Sequence, residues 1–306
     1  MRLVFAGTPD AAAPALRVLA ASAHDVATVV TRTDAPLGRK RVLTPSPVAR
    51  AADDLSLPVY RTDRLDDAAT AAITAMEPDL GVIVAYGGLV REPLLSAPRH
   101  GWINLHFSLL PAWRGAAPVQ RSLMAGETET GSSVFRLVAA LDAGDVLDEV
   151  RYTVPPTATA DRVLADLAEV GAHQLLRVVD AIADGSAQGT PQSGEPSHAA
   201  KLTAEDGRLD WAAPAAAVFA RWRGTTPEPG AFTTVDGARL KVLELRETDA
   251  AAPLPPGHLR GDGAAVLVGT ATVPLALVRV QPAGKSAMAA GDWWRGLRTD
   301  TPVAGS

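Results

Sequence analysis

The sequence predicts two domains of different class: a doubly wound α/β domain with a mostly parallel sheet, followed by a small β-barrel. The chain has 306 residues, a length that suits two domains better than one. In the first half, short apolar runs alternate with helical segments, as in a parallel sheet with crossover helices. Beyond residue 209, short apolar runs are separated by Gly, Pro and Asp, which is typical of antiparallel strands.

The strands of the first domain are apolar runs bounded by turn residues. We predict four buried strands and one brief strand, at residues 2–6, 26–30, 80–85 and 102–105 and at residues 59–60. Helices are predicted at 51–55, 68–76 and 159–184. The first helix begins either at Pro9, after Thr8, or at Pro14, because proline suits a first helical turn; the sequence leaves this open.

A change of composition marks the end of the first domain. Residues 185–196 are rich in Gly, Ser, Gln and Pro, which is typical of a linker. We therefore predict a catalytic domain at 1–186, a linker at 187–205 and a β domain at 206–306. Strands of the last domain are predicted at 231–235, 240–245, 264–268 and 273–280.

The composition excludes several kinds of site. The chain has no cysteine, which rules out disulfides, thiolate metal ligands and a cysteine nucleophile. The histidines other than His106 show no metal-ligand spacing, so we predict no metal. No signal-type segment or run of ~20 apolar residues is present, so we expect a cytoplasmic protein with no membrane association.

The segment 102–120, WINLHFSLLPAWRGAAPVQ, carries the most chemistry. Asn104, the only asparagine, and His106 are two residues apart at the end of a predicted strand, so their side chains point to the same face. Ligands bind at the carboxyl ends of strands in open α/β sheets. An amide can stabilise an oxyanion. A histidine can accept the amine proton near neutral pH or act as a second donor to the oxyanion, and the sequence leaves these two roles open. A carboxylate would orient the imidazole and raise its pKa; Asp142 and Asp145 are both candidates.

Several motifs together resemble the methionyl-tRNA formyltransferase family. Their order and spacing are more specific than any one of them, and the resemblance covers nearly the whole chain. They lie at residues 5–10 (FAGTPD), 45–48 (PSPV), 85–87 (AYG), 104–118, 141–145 (LDAGD) and 281–285 (QPAGK).

The resemblance implies an enzyme that transfers the formyl group of 10-formyltetrahydrofolate to the α-amino group of methionyl initiator tRNA, without a metal. It implies a Rossmann-like catalytic domain and a C-terminal OB-like barrel that assists tRNA binding, in a monomer. It matches Asn104, His106 and Asp142 to the catalytic residues, and so favours Asp142 over Asp145. The residues implied in folate binding are Ser108, Leu109, Leu110, Pro111, Tyr86 and Gly87.

The resemblance also implies that the loop at residues 34–46 contacts the acceptor end of the tRNA. Its three adjacent cations, Arg39, Lys40 and Arg41, suit phosphate binding, although charge alone is equally consistent with a solvated loop. Two alternatives to the tRNA-directed enzyme stay open. One is a formyltransferase acting on a small-molecule amine, such as a sugar nucleotide or a purine precursor, and the other is a non-catalytic tRNA- or folate-binding protein.

Overall fold

The computed structural model describes residues 1–38, 40–248, 253–297 and 302–305. The chain divides into two units. The first comprises residues 1–118, 129–153 and 164–199; the second comprises 119–128, 154–163 and 200–306. Each unit is thus built from separate stretches of sequence. The predicted division at 1–186, 187–205 and 206–306 assumes continuous domains and stays a prediction.

The first 199 residues contain eleven named strands and five helices among the described residues. In chain order they are β1 (Arg2–Gly7), α1 (Ala13–Ala20), β2 (Asp25–Thr31), β3 (Ala35–Leu37), β4 (Val42–Thr44), α2 (Pro47–Asp54), β5 (Val59–Arg61), α3 (Asp67–Thr74), β6 (Leu80–Val84), β7 (Trp102–His106), β8 (Arg114–Gly115), α4 (Pro118–Met124), β9 (Glu129–Arg136), β10 (Val146–Thr153), α5 (Ala160–Asp184) and β11 (His198–Ala199).

The main sheet has the strand order β10-β9-β7-β6-β1-β2-β5. The five strands from β5 to β7 are parallel, and β9 runs antiparallel to its neighbours β7 and β10. The mostly parallel sheet predicted from the sequence is therefore confirmed. From β1 the chain builds the sheet outward in both directions, which leaves a crevice between the carboxyl ends of β1 and β6, where ligands bind in such sheets.

Local sequence accounts for the helix starts. A short 3₁₀ turn at Asp10–Ala12 precedes α1, which has Pro14 in its first turn; this settles the choice between Pro9 and Pro14. Helix α2 begins at Pro47, earlier than the predicted residue 51, because the Ser46 hydroxyl accepts a hydrogen bond from the Ala49 amide at 2.9 Å. Such capping satisfies an amide that has no partner within the helix.

Strand β9 was not predicted, because its sequence, ETGSSVFR, lacks a clear apolar pattern. Ser132 and Ser133 are nevertheless fully buried. The Ser132 hydroxyl donates to Gln174 Oε1 at 2.6 Å, and the Ser133 hydroxyl donates to the Ser108 carbonyl at 2.7 Å. Buried hydroxyls are tolerated when they are hydrogen-bonded, and these partners are distant in sequence.

The rest of the second unit is mainly antiparallel. Its elements are α6 (Ala215–Thr225), β12 (Phe232–Val235), β13 (Ala238–Glu247), β14 (Leu259–Asp262), β15 (Ala265–Val268), β16 (Leu275–Pro282), β17 (Met288–Ala289) and α7 (Ala290–Arg295). The strand order is β12-β13-β16-β15-β14, with β17 on β16. The antiparallel β domain is confirmed, but these ladders leave the sheet open between β12 and β14, so barrel closure stays a prediction. Among the described helices, none is long and apolar enough to cross a membrane.

Candidate active site

A cleft of 650 Å³ opens at the carboxyl ends of the central strands of the first unit. Its floor contains Asn104 and His106 of β7, and its walls come from the segments that follow β6 and β9. The lining residues are Pro9, Ile83, Ala85–Glu92, Leu95, Asn104–Phe107, Gly115, Ala116, Pro118 and Leu137–Asp142. The position agrees with the crevice between β1 and β6, so the fold itself accounts for the location of the cleft.

Asn104 presents an amide whose oxygen has no partner. Its Oδ1 atom is buried and makes no hydrogen bond within the described part of the chain. Leaving a buried carbonyl oxygen without a donor is unfavourable. The side chain lies in a ligand-sized cleft, so a donor on a bound molecule can satisfy it.

The hydrogen bonding of His106 assigns a hydrogen to one ring nitrogen. Nε2 lies 2.9 Å from the Trp113 carbonyl oxygen. A carbonyl can only accept, so Nε2 carries the hydrogen and donates it. The other nitrogen, Nδ1, lies 3.9 Å from Asp142 Oδ2, which is close enough for electrostatic interaction but too long for a hydrogen bond.

Burial dominates the ionisation of His106, whose side chain is only 6 % exposed. Removal from water lowers the pKa of His106, and the Asp142 carboxylate and the bond to Trp113 oppose this by raising it. The net pKa lies below its ordinary value of 6.5. The expectation that the Asp142 carboxylate raises the pKa of His106 is therefore confirmed, but burial has the larger, opposite effect. At neutral pH the ring is uncharged, and Nδ1 has a free lone pair.

The structure separates the two candidate carboxylates. Asp142 lines the cleft, and its Oδ2 accepts a hydrogen bond from the Gly115 amide at 2.8 Å. Gly115 has a φ of +125°, and a Cβ there would lie 2.7 Å from the Ala199 carbonyl oxygen, so only glycine fits. Asp145 is exposed and does not line the cleft. Asp142 alone of the two faces His106.

The residues implied in folate binding fall into two groups. Tyr86 and Gly87 line the cleft, whereas none of the residues 108–111 does. Ser108 is fully buried, and its hydroxyl donates to the Ala112 carbonyl at 2.6 Å. Leu110 donates its amide to Ser133 Oγ at 3.1 Å. In this structure, residues 108–111 anchor the loop that carries Trp113 and Gly115, and their binding of folate stays a prediction.

The sequence reasoning missed most of the apolar wall of the cleft. Leu89, Val138 and Leu141 are 63 %, 43 % and 54 % exposed. All three line the cleft, in the segments that follow β6 and β9. Large apolar side chains left exposed outside regular structure often mark a binding site. The position of Leu89 shortly after the predicted strand at 80–85 was an available signal, whereas the strand before Val138 and Leu141 was not predicted.

The predicted tRNA loop is a β-hairpin. Strands β3 and β4 pair antiparallel, from Ala35 with Thr44 to Leu37 with Val42. Lys40 and Arg41 are exposed at the turn, and Arg39 lies outside the described residues. Leu37, Val42 and Leu43 are at least 60 % exposed, so the hairpin presents apolar side chains beside its cations.

Comparison with known proteins identifies the family of the chain. Residues 1–179 match the family model described as formyl transferase, and residues 201–298 match the formyl transferase C-terminal domain. A methionyl-tRNA formyltransferase of Clavibacter michiganensis subsp. michiganensis (strain NCPPB 382) is 62 % identical over 299 residues, covering 98 % of each chain.

Solved structures share the fold at lower identity. Methionyl-tRNA formyltransferase from Clostridium thermocellum matches with a TM-score of 0.59 and 13 % identity, over 82 % of this chain and 95 % of that chain. HypX from Aquifex aeolicus, solved in complex with tetrahydrofolic acid, matches with a TM-score of 0.64 and 16 % identity, over 99 % of this chain and 50 % of that chain.

The α/β fold and the amide, imidazole and carboxylate that share its cleft, together with both family matches, define a formyltransferase. The chain belongs to the methionyl-tRNA formyltransferase family.

Proposed function

We propose that this chain transfers the formyl group of 10-formyltetrahydrofolate to the α-amino group of methionyl initiator tRNA, for the initiation of translation in the cytoplasm. The observation that carries the proposal is the Asn104 amide, whose Oδ1 atom has no partner in the described part of the chain and which shares the cleft with a neutral His106 and with Asp142. Acyl transfer to an amine requires an oxyanion donor, a proton acceptor and a group that stabilises the protonated acceptor. Full-length similarity to methionyl-tRNA formyltransferases indicates the acceptor.

The reaction begins when the amine nitrogen attacks the formyl carbon and the formyl oxygen gains negative charge. The Asn104 NH₂ group donates to that oxygen, while Oδ1, unpaired in the free protein, accepts an N–H of the amine. His106 Nδ1 takes the amine proton, and Asp142 stabilises the imidazolium electrostatically across 3.9 Å. The bond from the formyl carbon to N10 of the folate then breaks, and N10 takes the proton from His106 Nδ1. The products are formylmethionyl-tRNA and tetrahydrofolate.

The donor fits the composition of the cleft walls. Leu89, Val138 and Leu141 offer apolar surface to the flat ring systems of the folate, because burying apolar area is favourable. Folate ends in a glutamate, and Arg91 is the only Lys or Arg among the cleft-lining residues in the described part of the chain. We assign Arg91 to the glutamate carboxylates and Tyr86 and Gly87 to the ring end of the cleft.

The acceptor is assigned to the hairpin β3–β4 and to the C-terminal domain. The cations Lys40 and Arg41 at the turn suit the phosphates of an RNA, and Arg39 is assigned with them from the sequence. We propose that the C-terminal sheet forms an OB-like barrel that assists tRNA binding. Single bridges from Ala304 to Val235 and from Val303 to His258 connect the chain end with β12 and with the residue before β14, which favours closure. The enzyme is proposed to work as a monomer.

One assay separates this proposal from its alternatives. The purified protein is incubated with 10-formyltetrahydrofolate and, in parallel, with methionyl initiator tRNA, an amino-sugar nucleotide or a purine-precursor amine. We expect formylation of the tRNA-bound methionine. Formylation of small amines alone would contradict the proposed acceptor, and transfer to no acceptor would favour a non-catalytic binding protein.

A further inference from the structure

The segment between the two family matches contacts the residues that line or support the candidate active site. Residues 180–200 lie outside both matched ranges, and the sequence predicts a linker at residues 187–205. The structure instead gives residues 190–199 a dense set of hydrogen bonds to the first unit. Thr190 and Val146 exchange two backbone hydrogen bonds of 2.9 Å, and β11 pairs with β8. Ser197 accepts the Trp113 amide with Oγ and the Arg114 amide with its carbonyl, both at 2.9 Å.

Within this segment, Gln192 uses every hydrogen-bonding position of its amide. Its Nε2 donates to the carbonyl oxygens of Asp142 and Gly144, both at 2.8 Å. Its Oε1 accepts from Nε of Arg114 at 3.1 Å and from Nη2 of the same guanidinium at 2.5 Å. A glutamine has two donors and two acceptor lone pairs, so its capacity is filled.

These contacts connect the two backbone segments that hold the catalytic groups. Arg114 lies between Trp113, whose carbonyl accepts the His106 hydrogen, and Gly115, whose amide binds the Asp142 carboxylate. The other end of the Gln192 amide binds the backbone of Asp142 itself. Gln192 therefore fixes the distance between the carboxylate loop and the segment that orients both the imidazole and the carboxylate.

The backbone of the Asp142 loop depends on such support. Asp142 has a φ of +46°, a conformation that is unfavourable for a residue with a side chain. At the far end of the same loop, a Cβ on Gly144 would lie 1.8 Å from the Arg136 carbonyl oxygen, so this contact requires glycine. The loop is thus held by close backbone packing on one side and by the Gln192 amide on the other.

We propose that Gln192 is a positioning residue for formyl transfer, which sets the Asp142 carboxylate against His106 from within the apparent linker. The proposal rests on the proposed function, because its main readout is formyl transfer. Without the amide donor, the Asp142 loop loses two hydrogen bonds and the carboxylate moves away from the ring. A displacement of about 1 Å can reduce turnover by about 10²-fold.

The test compares Gln192→Ala, Gln192→Glu and the control Gln188→Ala, an exposed glutamine four residues earlier. The carboxylate introduced by Gln192→Glu would still accept from Arg114 but could not donate to the two carbonyl oxygens. We expect both Gln192 variants to lose kcat by about 10-fold or more, while KM for methionyl-tRNA changes little and Gln188→Ala behaves like the wild type. The His106 ring, followed by NMR and assigned with His106→Gln, should titrate at a lower pH in both Gln192 variants, because the carboxylate of Asp142 has moved away.

Two results would overturn the proposal. A folded Gln192→Glu variant with wild-type kcat would show that the contact with Arg114 suffices and that the hydrogen bonds from residue 192 to the Asp142 loop are not needed. A loss of kcat with an unchanged His106 titration would show that Gln192 acts on some other step. If the wild-type protein itself formylates no tRNA, the proposed function fails first, and the NMR titration still tests the positioning of Asp142.

Discussion

At the residue scale, one hydrogen bond restricts the chemistry that His106 can perform. The Trp113 carbonyl engages Nε2 as a donor, so only Nδ1 is free to exchange a proton. Burial keeps the ring neutral at neutral pH, and a neutral imidazole is a base. A cationic donor to the oxyanion would require the charged form that burial disfavours. The geometry therefore supports proton acceptance by Nδ1, with Asp142 stabilising the product of that step.

We predict that Asn104→Ala, His106→Ala and Asp142→Ala each reduce kcat severely, by about 10²–10³-fold for the loss of the Asn104 donor. The three losses should be strongly non-additive, because the side chains act on one intermediate. Steady-state kinetics on variants shown by thermal melting and folate binding to be folded would measure this.

Asp145→Ala is the matched control, since Asp145 is the rival carboxylate and is exposed outside the cleft. It should retain near-normal turnover. A folded His106→Ala variant with normal kcat would contradict the catalytic assignment. A large loss of kcat in Asp145→Ala would contradict the choice of Asp142 over Asp145.

The pH dependence of kcat/KM should report the ionisation of His106. The ring must be neutral to accept a proton, so activity should rise with pH through the His106 pKa, on a limb below 6.5. In Asp142→Asn the carboxylate no longer raises that pKa, so the residual activity should show the limb at still lower pH. Both profiles are recorded with the same tRNA, so the titration of the substrate amine is common to both. A limb displaced to higher pH in Asp142→Asn would refute this account.

At the scale of secondary-structure elements, the hairpin β3–β4 combines charge with exposed apolar surface. Lys40 and Arg41 are exposed at the turn, next to Leu37, Val42 and Leu43. A solvated loop would account for the exposed cations but would not account for three apolar side chains that are so fully exposed. The combination fits a segment that contacts phosphates and the less polar parts of an RNA.

We predict that Lys40→Ala/Arg41→Ala raises KM for methionyl-tRNA and flattens its dependence on salt, because fewer phosphates are neutralised. The control Arg2→Ala/Arg99→Ala removes two exposed charges near the amino ends of β1 and β7, at the end of the sheet opposite the cleft. Initial rates at several salt concentrations would measure both. Equal salt slopes for the two double variants would show that the hairpin is a solvated loop.

At the scale of the whole molecule, neither unit is one continuous stretch of sequence. The second unit includes residues 154–163, and the buried Arg223 of α6 connects them to its C-terminal part. Arg223 donates through Nε to the Ala158 carbonyl at 2.8 Å and through Nη2 to the Pro155 carbonyl at 3.4 Å. The family model for the C-terminal domain matches residues 201–298, so Arg223 lies inside its range and the two acceptor residues lie outside it.

We predict that Arg223→Ala lowers the free energy of unfolding by about 1–3 kcal/mol, because the Ala158 and Pro155 carbonyls lose a charged donor and the missing side chain leaves a cavity. Urea denaturation followed by circular dichroism would measure the change. Arg246→Ala is the control: its side chain is 67 % exposed and pairs with Glu244 at 2.6 Å, and exposed pairs contribute about 0–1 kcal/mol. Equal losses in the two variants would contradict a structural role for Arg223.

The sequence by itself determined the features that depend on neighbours along the chain. Apolar runs indicated β1, β2, β6 and β7, and the alternation of a strand placed Asn104 and His106 on one face at its carboxyl end. These features follow from backbone geometry and burial over a few residues, so a single segment contains the information.

Only the tertiary structure decided the features that join distant segments. Burial lowers the pKa of His106 and the carboxylate of Asp142, which is distant in sequence, raises it, so the balance of the two sets its ionisation. Hydrogen bonds to remote groups made the serines of β9 suitable for a buried strand. The fold brings Gln192, a residue of the predicted linker, within hydrogen-bond distance of the Asp142 loop. The physical reason is that burial and hydrogen bonding depend on which groups meet in space, and local sequence does not specify those partners.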